Sequence, residues 1–250
     1  MQPKLDYLPE KTRVIYRRLL EEPLMQGMTL VGGSALALQT GHRISEDLDF
    51  AIFGAQLPSA RIDTLISGLE TAGFDVSLTT SQSDIERFRI NTGRKLLNFV
   101  RDYAVDGVKL TFFARGANAP QKQLDWLNQA DRLAVGAGFD ILGLHGLFAM
   151  KSLVLADRAR SRDLFDLMYL IEHCGYTIDQ SFALAQQLAP VEKRDIERHK
   201  GVMSGIIPLD DDDEGFASIN VQHSIAEIYA FLAEQIDAFE QRQAEEILRR

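Results

Sequence analysis

Residues 30–53 read LVGGSALALQTGHRISEDLDFAIF, and their order sets the architecture around them. The apolar run ending at Val31 reads as a short strand that enters a glycine turn at Gly32-Gly33. SALALQT follows as a helix with Ser34 in the N-cap role. Asp47 to Phe53 alternates acid with apolar residues and reads as a second strand. Residues two apart on a strand point the same way, so Asp47 and Asp49 project from one face while Leu48 and Phe50 face the other. Two carboxylates on one face repel unless a cation lies between them. Mg²⁺ (or Mn²⁺) suits such a place, being hard, oxygen-seeking and commonly bound by one or two carboxylates plus substrate phosphates. Gly32 and Gly33 let backbone N–H groups approach an anion, and a helix N-terminus at Ser34 favours phosphate. A phosphate cradle beside a metal-binding acid pair is what phosphoryl or nucleotidyl transfer from a nucleoside triphosphate (NTP) needs. Neither half is specific alone. Gly-Gly before a helix is common, and alternating Asp can mark an exposed strand face.

Around this block the pattern is mixed. Residues 10–22 (EKTRVIYRRLLEE) read as an amphipathic helix with Val14, Leu19 and Leu20 inward, ended by Pro23. Residues 58–72 read as a helix ending at Gly73, followed by the strand FDVSLTT. ERFRINT, LLNFVRDYAV and VKLTFFA read as β-rich, the last two joined by a hairpin turn at Asp106-Gly107. After the loop GANAPQKQ the character changes. From about Phe139 onward helical periodicity dominates, over 141–157, 161–173, 179–188, 190–200 and 221–249. The expectation is an α+β chain with a domain over 1–135 and a helical domain over 136–250.

Composition narrows the class. Hydrophobic residues make up 46% and charged residues 25%, as in ordinary globular proteins. No apolar run is long enough to span a bilayer, the N-terminus lacks a signal-peptide core, and a cytoplasmic protein without membrane partners is expected. A single cysteine, Cys174, excludes an internal disulfide framework and a cysteine-based zinc site. The net charge of −9 argues against a module that merely coats nucleic acid, though not against an enzyme with cations gathered at one face. Asp210-Asp211-Asp212-Asp213-Glu214 reads as a solvated loop rather than a metal site, because like charges in sequence repel.

The string Gly32-Gly33-Ser34-Ala35-Leu36 … His42-Arg43-Ile44-Ser45-Glu46-Asp47-Leu48-Asp49-Phe50 closely resembles the AbiEii/AbiGii-type nucleotidyltransferase family of bacterial abortive-infection toxins. A second block is similar to that family's helical Lys … Arg … Lys/Arg-Asp-x-x-Asp segment. It runs Ala149-Met150-Lys151 … Asp157-Arg158 … Arg162-Asp163-Leu164-Phe165-Asp166-Leu167. The resemblance implies a polymerase-β-like mixed sheet with helices, followed by an all-helical C-terminal half. It implies a metal-dependent enzyme that transfers a nucleoside monophosphate from an NTP, with Asp47 and Asp49 holding the metal and Lys151 acting beside them. Nucleotide contacts are implied for Gly32, Gly33, Ser34, Arg43, Ser45, Lys151, Arg158, Arg162, Asp163 and Asp166. The toxin role implies a cognate antitoxin, and the acceptor end of tRNA, or a protein, is an implied acceptor. A degenerate nucleotide- or RNA-binding regulator is the alternative, and a small-molecule acceptor is a third reading.

The second block can be examined physically. If one helix continues past Ser161, Lys151, Arg158 and Arg162 fall within about 40° of each other, with Asp166 at the stripe's edge. The remaining surface is mainly apolar, so these cations need anionic partners. Those partners are either a triphosphate or Asp163, Asp166 and other acids in an ion-pair cluster.

One feature departs from the family pattern. A third carboxylate is expected on the strand VKLTFFA near Thr111, and none is there. Asp102 or Glu86 could substitute, whereas Asp106 belongs to the turn, and Thr111 offers only a hydroxyl. Arg43 could meet phosphate or the Asp47/Asp49 pair, and Ser45 could orient a carboxylate. His145, His173, His199 and His223 show no metal-ligand spacing, and Cys174 reads as structural. The cluster Lys193-Arg194-Arg198-His199-Lys200 reads as a solvated helix face or an RNA contact.

Overall fold

The structure is a computed structural model that describes residues 2–114 and 120–249. The first helix, α1 (Glu10–Leu20), buries Ile15, Tyr16 and Leu19. Val14, expected inward, is half exposed, because Ile15 and Tyr16 carry the buried face instead. β1 (Thr29–Val31) leads directly into α2 (Gly32–Thr40). The helix therefore starts two residues before the expected Ser34 cap. Val31 holds the cap position without a side-chain bond, and Ser34 lies inside the first turn. β2 (Leu48–Ile52), α3 (Ser59–Thr71) and β3 (Val76–Leu78) follow.

ERFRINT, expected as strand, belongs to α4 (Gln82–Thr92). Ile90 is exposed and no residue of the helix is buried, so no apolar face marks it. Local capping decides the conformation. The Ser81 side chain accepts from the Asp84 N–H, and Gly93 closes the C-terminus in the left-handed region. β4 (Val100–Val105) and β5 (Val108–Ala114) form the expected hairpin. Asp106 and Gly107 have φ of 48° and 83°, as a type I′ turn requires. The expected loop at 116–123 lies partly outside the described residues, and its last three residues open α5 (Gln121–Gln129). β6 (Arg132–Ala134) and β7 (Asp140–Leu142) then join the sheet. Three-residue strands carry too little alternation to register as β, and β7 had been merged with the helix after it.

The seven strands form one mixed sheet in the order β3-β4-β5-β2-β1-β7-β6. β1 runs antiparallel to β2, and β2 runs parallel to β5. On one face Phe50 stacks on Phe112 at 5.8 Å between centroids and meets Phe139 edge-on at 4.8 Å, anchoring the core. β4 alternates cleanly, with Arg101, Tyr103 and Val105 buried and Asp102 on the more open side.

The helical half comprises α6 (Leu144–Val154), α7 (Ser161–Cys174), α8 (Ile178–Leu188), α9 (Ile196–Met203) and α10 (Ile225–Leu248). The chain divides into two compact units, residues 1–147 and 148–250. Among the described residues no helix is long and apolar enough to cross a membrane.

Candidate active site

The first unit builds its site around two glycines. Gly32 has φ of 71°, where a side chain would be strained, and a Cβ there would lie 2.8 Å from an Asp49 carboxylate oxygen. A Cβ on Gly33 would lie 2.5 Å from an Arg43 guanidinium nitrogen and 2.9 Å from Ser45 Oγ. Both glycines thus leave room that Asp49, Arg43 and Ser45 use. Register explains the approach, since Val31 pairs with Asp49 across the antiparallel β1–β2 ladder and Gly32 is the next residue. Asp47 lies immediately before β2, two residues from Asp49 and half-buried like it.

The loop between α2 and β2 is fixed from within. Ser34, almost fully buried, hydrogen-bonds the Asp47 carbonyl, and its Oγ lies 3.0 Å from Ser45 Oγ. The Ser45 N–H donates to the Tyr7 carbonyl at 3.0 Å, and Arg43 donates to the Ile44 carbonyl at 3.0 Å. Ser34 therefore ties the first turn of α2 to the residue that carries the first acid. The N–H groups at the start of α2 lie beside Asp49, Arg43 and Ser45.

A row of side chains crosses the sheet at this level. Asp49 pairs with Thr111 in the parallel β2–β5 ladder, and Thr111 pairs with Asp102 in the antiparallel β4–β5 ladder. Paired residues share a face, so Asp49, Thr111 and Asp102 point the same way. Thr111 Oγ1 donates to Asp102 Oδ1 at 2.9 Å. Glu86, the other substitute considered for the missing acid, sits on exposed α4, where Gln82 donates to it at 3.0 Å. Among the described residues, no three His, Cys, Asp or Glu side chains gather as a metal cluster. The donor set nevertheless fits a hard divalent ion: the carboxylates of Asp47 and Asp49, with a hydroxyl at Thr111, all oxygen, beside the glycine corner that admits the Asp49 carboxylate.

The second block has a different character. The chain leaves helix between Val154 and Ser161, so the condition of one continuous helix is not met and Lys151, Arg158 and Arg162 do not share one helical stripe. Lys151 lies on α6, Arg158 on the connection and Arg162 on α7. Lys151 Nζ bonds Asp163 at 2.7 Å and Asp166 at 2.6 Å, while Arg158 Nε bonds the other Asp163 oxygen at 2.7 Å. Burial alone would raise the Asp163 carboxyl, but Lys151 and Arg158 outweigh it and hold it below the usual carboxylate range. Arg162 turns elsewhere, to Glu214 at 2.7 Å and the Gly215 carbonyl at 3.0 Å.

Those contacts belong to a clasp made by residues 210–214, which form the largely exposed loop expected of them and also bind the segment 159–162. Asp210 exchanges backbone and side-chain bonds with Ala159, and Asp212 pairs with Arg160. Asp213 accepts from the Ser161 N–H at 2.9 Å and from its hydroxyl at 3.0 Å. Like charges in sequence still repel, but here Asp210, Asp212, Asp213 and Glu214 each meet a donor between Ala159 and Arg162. No spacing signal connects segments some fifty residues apart, so sequence reading could not find this clasp. The basic cluster after 190 is engaged by contacts within the chain while Arg194 and Arg198 stay exposed. Lys193 pairs with Asp157, Arg198 donates to the Ala156 carbonyl at 2.9 Å, and Lys200 bridges Glu197 and Glu240 at 2.8 Å each.

An uncharacterized protein of Aquifex aeolicus is 23% identical over 176 residues, covering 69% of this chain and 71% of that one. A crystal structure from H. pylori named as a nucleotidyltransferase is similar at a TM-score of 0.49 and 19% identity, over 95% of this chain and 98% of that one. MenT4, a nucleotidyltransferase toxin of Mycobacterium tuberculosis, is similar at a TM-score of 0.48 and 16% identity, over 92% and 85%. The family described as nucleotidyl transferase AbiEii toxin, type IV toxin–antitoxin system, matches residues 13–250, and the chain belongs to that family.

Proposed function

We propose that this protein transfers a nucleoside monophosphate from an NTP to an acceptor hydroxyl, using a site built on Gly32, Gly33, Arg43, Ser45, Asp47 and Asp49. The observation that carries this reading is the glycine corner, where the Asp49 carboxylate sits against Gly32 while Arg43 and Ser45 sit against Gly33. Asp47 and Asp49 would hold Mg²⁺ or Mn²⁺. When bound, the ion supplies charge neutralisation across the triphosphate and the leaving pyrophosphate. The N–H groups at the start of α2 favour phosphate oxygens, and the Arg43 guanidinium adds a fixed positive charge beside them. In the transfer, the acceptor oxygen bonds the α-phosphorus, the α–β bridging bond breaks, and pyrophosphate and the hydroxyl proton are released. Ser34 holds the Asp47 backbone in place through its internal bond. The reading rests on the first unit alone.

Membership in a type IV toxin–antitoxin family supports a toxin restrained by a cognate antitoxin in the cytoplasm, with an RNA end such as that of tRNA as one acceptor class. A second reading, a regulator that binds nucleotide without turnover, draws on Thr111, which occupies the position paired with Asp49 where a third acid would stand.

Incubation of the purified protein with Mg²⁺, each labelled NTP and total cell RNA or lysate separates the two. Transfer of label that disappears in Asp47→Ala/Asp49→Ala supports the enzyme and identifies the acceptor. Metal-dependent nucleotide binding without transfer supports the regulator. Loss of both overturns the site.

A further inference from the structure

We propose that the Thr111 hydroxyl is a ligand of the divalent ion held by Asp47 and Asp49, and that Asp102 is the positioning residue that aims it. The proposal rests on the nucleotidyltransferase reading above and adds to it a hydroxyl–carboxylate pair in place of the third acid.

β5 lies between β4 and β2, so Thr111 has Asp102 on one side and Asp49 on the other, all on one face. A hydroxyl has one proton and two lone pairs. Thr111 Oγ1 commits its proton to Asp102 at 2.9 Å, on the β4 side. Its lone pairs therefore point away from Asp102, with β2 and Asp49 on that side. Paired positions on adjacent strands lie about 5 Å apart, a span that a single ion between a hydroxyl and a carboxylate can bridge. Threonine is stiff at χ1, so the direction is kept.

Charge strengthens the ligand. Donation to a carboxylate is a charge-assisted bond that leaves the hydroxyl oxygen more electron-rich than in an isolated threonine. Asp102 is itself held, its N–H donating to Thr80 Oγ1 at 2.8 Å and its carbonyl accepting from the Thr79 N–H at 2.8 Å. Groups that orient metal ligands in this way typically govern affinity by ten- to a hundred-fold. Asp102 does not join Asp47 and Asp49 in a cluster of its own, since among the described residues no three such side chains gather. Its carboxylate works from behind Thr111.

The test uses the full chain and Mn²⁺ alone as probe, with free Mn²⁺ read by electron paramagnetic resonance and melting temperature recorded alongside. Thr111→Val changes no charge and should weaken Mn²⁺ binding by about tenfold or more. Thr111→Ser, which keeps the hydroxyl, should stay within about twofold of the parent, and Asp102→Ala should weaken binding by about tenfold. If Thr111→Val melts early, Thr111→Ala gives the same reading. Mn²⁺ affinity unchanged in these Thr111 variants, while Asp49→Asn loses binding, overturns the Thr111 assignment and leaves the site intact. Affinity unchanged in Asp49→Asn as well overturns the underlying site instead.

Discussion

The two units each gather charged residues that sequence placed at a nucleotide, and they gather them in opposite ways. In the second unit Lys151, Arg158, Asp163 and Asp166 interlock, with Asp163 spending both oxygens on cations and Asp166 buried against Lys151. Two positive and two negative charges thus bond one another. In the first unit Asp49, Arg43 and Ser45 occupy the room left by two glycines at a helix N-terminus. The same residue types thus give a lattice in one place and a proposed seat for an ion and phosphates in the other. What separates them is the setting, since the first group packs against two glycines that open a helix, whose N-terminus favours anions.

The comparison is broken most directly by separating activity from stability. Asp47→Asn/Asp49→Asn should lower labelled-nucleotide transfer by on the order of a thousandfold, while unfolding in urea shifts by less than about 1 kcal/mol. Residues kept for function seldom contribute to stability. A large loss of stability in that variant would place the acid pair with the lattice. Lys151→Ala should behave in the reverse manner, losing about 3–5 kcal/mol, because it leaves Asp163 short of a partner and Asp166 buried without its cation. Lys151→Met/Asp166→Leu should recover part of that loss, since an apolar pair carries no desolvation cost. Wild-type stability in Lys151→Ala would remove the lattice reading.

Acid sharpens the same contrast. Because Asp163 is held below its ordinary value of 3.8, its stabilising contribution is fully present above that value and is lost as pH falls through the folded pKa. Asp163→Asn should therefore be less stable than the parent at neutral pH, and the gap should narrow below pH 3.8. Urea unfolding at several pH values measures it, and a constant gap would contradict the coupling.

Much of the proposed site was legible because its parts lie within one stretch. The glycine turn, the helix and the Asp-Leu-Asp strand occupy residues 30–53, and local periodicity is enough to put both acids on one face. The hairpin at Asp106-Gly107 was legible for the same reason, its turn chemistry being local. What escaped depends on contacts distant in sequence. The pairing of Asp49 with Thr111 and of Thr111 with Asp102 follows from strand order, which periodicity does not encode. α4 was misread because a helix with no buried residue has no apolar stripe to show, and its signals are the caps Ser81 and Gly93. The first of the two helices read here was extended to residue 157, three residues too far, because the break after Val154 lacks proline and glycine.

The smallest expected effect concerns the acidic run, whose members look alike in sequence but differ in what they hold. The N-terminus of α7 has free N–H groups to satisfy, and Arg160 at the cap position provides no side-chain acceptor. Asp213 supplies one from fifty-two residues away, accepting the Ser161 N–H and hydroxyl, with its negative charge near the positive end of the helix. Asp213→Ala should therefore cost about 1 kcal/mol, as loss of a helix cap does, and the loss should persist in high salt because a directional hydrogen bond is removed. Asp212→Ala removes an exposed ion pair with Arg160, so its smaller effect should vanish as salt screens it. Melting curves of both variants at low and high ionic strength separate the two. Equal, salt-sensitive losses would mean that the run acts as bulk negative charge rather than as a cap on the helix that carries Asp163 and Asp166.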